Sequence, residues 1–93
     1  MVENQEAAYI VQRPKWFDES KIENEFNAGE KLEAGEQPVN KVVSDLKNLT
    51  VGKIYKLQAP FLPAPIIDKA TSLKFEHWVD KKSDDEVYVY FLK

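Results

Sequence analysis

The sequence predicts a small α+β domain, a two-layer α/β sandwich with the order β-α-β-α-β-β. Three observations carry that prediction. Four stretches alternate apolar and polar residues with the period of a strand. Two stretches place apolar residues at helical spacing, and each is introduced by a proline. Two of the strands are followed by helices, which calls for a parallel pair, while the last two strands are separated by a short polar run and make a hairpin. Both helices then fit one face of a four-stranded mixed sheet.

The elements follow in order. Residues 1–14 are rich in Glu, Asn, Gln and Ala and end at Arg13-Pro14, so they read as a tail, with Tyr9-Ile10-Val11 able to pair as an edge strand. Residues 15–93 read as one domain. Trp16-Phe17 supplies two large rings and reads as an anchor that docks on it. Lys21 to Ala28 alternates, with Ile22 and Phe26 pointing one way and Glu23, Glu25 and Asn27 the other. Gly29 to Gln37 is a loop. Pro38 opens the first helix, over 38–49, where Val39, Val42, Val43, Leu46 and Leu49 share a face.

Gly52 ends that helical region. Lys53 to Ala59 alternates again, with Tyr55, Leu57 and Ala59 opposite Ile54, Lys56 and Gln58. The run Pro60-Phe61-Leu62-Pro63-Ala64-Pro65 cannot be regular, because each proline removes a donor and fixes φ. Pro65 suits the first position of a second helix, over 65–74, with Ile66, Ile67, Ala70 and Leu73 inward. Phe75 to Asp80 is the third strand, Lys81 to Asp85 a polar turn, and Glu86 to Leu92 the fourth strand.

Composition narrows the chemistry. The chain has 93 residues, enough to bury about 60–65% of its unfolded surface. It has no cysteine, which excludes disulfides, thiolate metal sites and thiol catalysis and suits a reducing compartment. No basic segment followed by an apolar run marks a signal peptide, and no apolar run approaches the length of a membrane span. A soluble, cytoplasmic protein is expected, and Asn48-Leu49-Thr50 is then no glycosylation site. The net charge of −3 is mixed along the chain, without the basic block that nucleic acid demands.

Topology suggests where a site would lie. If strands 1 and 2 are parallel, both helices start beyond the carboxyl ends of the strands, the edge that ligands favour in α/β sheets. Glu36, Gln37 and Pro38 would meet Phe61, Pro63 and Pro65 there.

The combination Gly35-Glu36-Gln37-Pro38, the helix over 39–49, Gly52, Pro60-Phe61-Leu62-Pro63-Ala64-Pro65-Ile66-Ile67-Asp68-Lys69 and Trp78 resembles the prokaryotic family named domain of unknown function 2249. The resemblance runs from about Trp16 to the C-terminus. That family is similar in fold to the TusA/SirA sulfur carriers, so the resemblance implies their fold and a prokaryotic cytoplasm, by analogy in redox, sulfur or metal-cofactor metabolism. The chain departs from the pattern at three places. Gly35 stands where the sulfur carriers have their thiol, Gln37 where the family often has His, and Asn27-Ala28-Gly29 where it often has Asp-Ala-Arg. Persulfide carriage needs a thiolate, so this chain cannot perform it.

The remaining candidates each have a plain structural reading. His77, the one histidine, can serve as a general base, but no Ser or carboxylate spacing suggests a dyad, and a surface or edge position explains it as well. Glu36 can bind a cation or act as a base, or simply complement a helix N-terminus. Phe61 is either a preformed apolar lip for a ligand or partner, or a core residue in a stiff crossover. Ile54, Trp78, Tyr88 and Tyr90 form a patch on the face away from the helices, which Trp16-Phe17 or a second copy can cover. The residues thus predict a non-catalytic binding or adaptor domain without cofactor or metal, taking an unknown protein partner or small ligand. An enzyme subunit using Glu36 or His77, its site completed by a partner chain, is the alternative.

Overall fold

The computed structural model describes residues 13–29 and 38–93. Its sheet has four strands in the order β1-β2-β4-β3, where β1 is Ile22–Asn27, β2 Ile54–Ala59, β3 Glu76–Ser83 and β4 Glu86–Leu92. β1 and β2 are parallel, and β4 runs antiparallel to both β2 and β3. Helix α1 (Val39–Lys47) precedes β2, and α2 (Ala64–Ser72) follows it.

One face of the sheet carries both helices. The core joins Val42 and Leu46 of α1, and Ile66, Ile67 and Ala70 of α2, to Tyr55, Leu57, Val79, Val87, Val89 and Phe91 of the strands. These strand residues share one parity in the ladder, so the alternation read from the sequence places them on one side. Burying each such Val or Leu contributes about 1.5–3 kcal/mol. The Tyr55 ring lies in this layer, and its hydroxyl donates to Asp45 Oδ2 at 2.7 Å, tying α1 to β2. Burial first, then the bond and charge of Asp45, pushes the Tyr55 hydroxyl far above its usual range. Lys41 Nζ completes the group, 2.9 Å from the same Asp45 oxygen.

Four details differ from the sequence reading. In β1 a bulge between Ile22 and Asn24 sets Ile22 beside Ile54 on the outer face, while Phe26 stays beside Leu57 on the core face. Ile22 and Phe26 therefore point to opposite sides. The bulge frees Glu23 to reach the α1–β2 connection, where its carboxylate accepts from Thr50 N at 3.0 Å and Thr50 Oγ1 at 2.9 Å. Those bonds, the backbone one first, lower the Glu23 pKa. Second, β3 extends to Ser83, so Lys81–Ser83 belong to the strand and only Asp84-Asp85 form the turn. Third, Pro38 caps α1 from outside, its carbonyl accepting from Val42 N at 3.0 Å. Fourth, α2 starts at Ala64, placing Pro65 second in its first turn. The Tyr9-Ile10-Val11 strand and the Gly29–Gln37 loop beyond Gly29 lie outside the described residues.

The end of α2 holds a residue in an uncommon conformation. Phe75 N donates to Ala70 O at 3.0 Å and Lys74 N to Thr71 O at 3.0 Å, the paired bonds of a Schellman motif. That motif needs a left-handed residue, and Lys74 takes it with φ 74. A side chain there costs about 1–2 kcal/mol, against about 0.3–1 kcal/mol gained by a cation near a helix C-terminus. Lys74→Gly should therefore raise stability by about 0.5–1 kcal/mol, a rise of about 2–8 °C in Tm. Lys74→Ala should bring no such gain. Thermal melts of the two variants check this, and a lower Tm for the glycine variant would refute the assignment.

Candidate functional site

The carboxyl edge of β1 and β2 is continuous, since Ala28 N donates to Gln58 O at 2.8 Å just past the last paired residues. α2 starts at this edge because it follows β2 directly. α1 ends at the opposite edge, where Lys93 Nζ donates to Lys47 O at 2.7 Å and Gly52 N to Lys93 O at 2.9 Å. Its nine residues span about 13 Å at 1.5 Å per residue, so Val39 points back toward the carboxyl edge. Both helices thus begin where the topology required.

The predicted site residues divide at that edge. Phe61 is 53% exposed and Leu62 42%, so Phe61 is not a core residue. Pro65 is exposed, whereas Pro38 and Pro63 are buried. Pro63 is a brace: its carbonyl accepts from Ile66 N and Ile67 N, each at 3.1 Å, while Ala64 N donates to Leu62 O at 3.0 Å. The chain on either side of Phe61-Leu62 is anchored by buried Ala59 and Pro63, and the two apolar side chains stand outside. Glu36 and Gln37 lie outside the described residues.

His77 lies elsewhere. β3 runs in the same direction as β2, which puts His77, near its start, at the opposite edge. The ring is half-buried and tilted against Phe91, 6.5 Å between centroids. Among the described residues it has no hydrogen-bonded partner side chain, and no three His, Asp or Glu side chains gather as a metal requires.

The outer face has two halves. On β3 and β4, Trp78 stacks on Tyr90 at 5.3 Å, and Phe17 meets both rings edge-on, at 5.0 Å from Trp78 and 4.6 Å from Tyr90. Arg13 lies over Phe17 at 4.8 Å. The Trp16-Phe17 segment therefore does dock, through Phe17, on the patch that the alternation placed there. Desolvation, with Asp80 next, pushes the Tyr90 hydroxyl up to about 12. On β1 and β2, Glu25, Asn27, Lys56 and Gln58 of this face, with the strand at Phe26 between them, line a shallow cleft of about 240 Å³. Lys56 sits 4.8 Å from the Tyr88 ring and 3.9 Å from Glu25. The Tyr88 hydroxyl donates to Glu86 at 3.2 Å, and Gln58 Nε2 donates to the same oxygen at 3.4 Å. Burial, then that bond, raises the Tyr88 pKa. The polarity of this half was legible in the alternation of β2 and β4; its pairing of Lys56 with Tyr88 was not, because that depends on strand register.

No helix among the described residues is long and apolar enough to cross a membrane. Family models, curated proteins and solved structures were compared with the chain, and none matches it.

Proposed function

We propose that this chain is a non-catalytic binding or adaptor domain of the sulfur-carrier-like fold, which takes a protein partner or small ligand at the edge where its two helices begin. One observation carries the reading: Phe61 and Leu62 are adjacent, large, apolar and exposed, on a loop held at both ends by buried residues. A loop already fixed in place loses little entropy when a partner covers it, so its apolar area converts efficiently into affinity. The family resemblance supports the fold named in this reading and, by analogy, a prokaryotic cytoplasm as its setting.

Phe61→Ala tests it. Removing an exposed ring changes stability by about 0.5 kcal/mol or less, a shift of under about 4 °C in Tm. The same change should abolish capture of the native partner when wild type and variant, each immobilised, are offered a lysate of the source organism. A variant that melts normally and captures the same molecules as wild type would refute the proposal.

A further inference from the structure

The ladder sets Ala59 opposite Val87, so the end of β2 and the start of β4 lie side by side. The Phe61-Leu62 loop leaves from the first and the Asp84-Asp85 turn leads into the second. Residues 80–86 hold four carboxylates against two ammonium groups. Lys82 is engaged by Asp80 at 3.0 Å, which raises its pKa. Lys81 reaches Asp84 only at 3.8 Å, and Glu86 is held by Tyr88 and Gln58. Asp85 Oδ1 accepts from Ser83 Oγ at 2.9 Å, and among the described residues no ammonium group comes within ion-pair distance of Asp85. The turn thus carries two exposed carboxylates, Asp85 without a cation in ion-pair distance among the described residues and Asp84 held by Lys81 only at 3.8 Å, next to the strand end from which the two exposed apolar side chains depart.

We propose that this loop and turn form one docking surface for a protein segment carrying basic and apolar side chains together. The inference rests on the binding reading above and specifies the partner's chemistry. Apolar side chains of the segment cover Phe61 and Leu62, and its Lys or Arg groups meet Asp84 and Asp85. Charges on the rim steer and orient such a segment, while the apolar contact holds it. Nucleic acid and anionic membrane surfaces would meet the same carboxylates and be repelled.

Selection of a displayed random-peptide library on the immobilised chain at low salt tests this. Enriched peptides should combine Lys or Arg with aromatic or aliphatic residues. A synthetic peptide of the enriched sequence should bind Phe61→Ala about tenfold more weakly or worse. It should bind the double variant Asp84→Asn/Asp85→Asn about two- to fivefold more weakly, a difference that vanishes in high salt. All the altered side chains are exposed, so the variants should melt like wild type, and melts verify that. Peptides that depend on Phe61 but lack basic residues, or ignore the double variant, would overturn this inference and leave the binding surface standing. Enrichment of no Phe61-dependent peptide would likewise overturn this inference, and the binding surface then stands or falls by the Phe61→Ala capture experiment above.

Discussion

Leu46→Ala should destabilise the protein by about 3–5 kcal/mol, the largest loss expected from any alanine substitution in α1. Leu46 is fully buried, and with Val42 it seats the helix on the sheet. It belongs to the same buried cluster as Tyr55 and Leu57, also fully buried and fixed by pairing on both sides of β2. Such neighbours cannot collapse into the space left by the missing carbons, so the cost includes both transfer and cavity. A domain of this size has about 5–15 kcal/mol in all, so the loss is a large share of its stability. Urea unfolding of Leu46→Ala beside Val43→Ala reads the difference. Val43 is only half-buried and should cost under about 1.5 kcal/mol. Equal costs would mean that α1 does not sit on the sheet through Leu46.

Phe17→Ala should cost about 2–4 kcal/mol although Phe17 belongs to no helix or strand. Its ring makes two edge-on aromatic contacts, with Trp78 and Tyr90, each worth about 0.5–1.5 kcal/mol beyond burial. Loss of its half-buried area adds roughly 1 kcal/mol. The same change lets water reach Tyr90, so its pKa should fall from about 12 toward the ordinary tyrosine range, visible in a spectrophotometric titration. Sedimentation adds a third reading, because an uncovered Trp78–Tyr90 patch invites a second copy. An unchanged melt together with an unchanged titration would show that Phe17 does not cover this face.

Much of this architecture was legible in the sequence because it rests on period. The alternations of β2 and β4 assigned both faces of the central strands, and the spacing of Val42, Leu46 and Leu49 assigned the buried side of α1. What was not legible depends on distant partners. Glu23 bulges out of β1 to reach Thr50, 27 residues away, and the pattern of β1 alone reads straight through it. Lys81–Ser83 look like a turn until β4 pairs with them. Lys74 takes a conformation normally marked by glycine, so nothing local announced the end of α2. Phe61 was ambiguous because proline fixes a loop without specifying which side of it faces water. The other half of that candidate edge, Glu36 and Gln37, lies outside the described residues.

The strand order β1-β2-β4-β3 also governs how the chain can fold. β4 lies between β2 and β3, yet it comes last of the four in sequence. During synthesis, β1, α1, β2 and α2 are all made before the strand that supplies Val87, Val89 and Phe91 to their common core. Until Glu86–Leu92 is available, β2 has an open inner edge and the helices cover an incomplete apolar floor. The β3–β4 hairpin is the most local pairing in the sheet, and such a unit closes in about 1–10 μs. The β2–β4 pairing joins segments farther apart in sequence than the hairpin does, and long-range pairings of that kind are the slow ones to form. A nascent chain stalled before residue 86 would present an unpaired strand edge and exposed apolar surface to its surroundings, the condition in which chaperones recognise their clients.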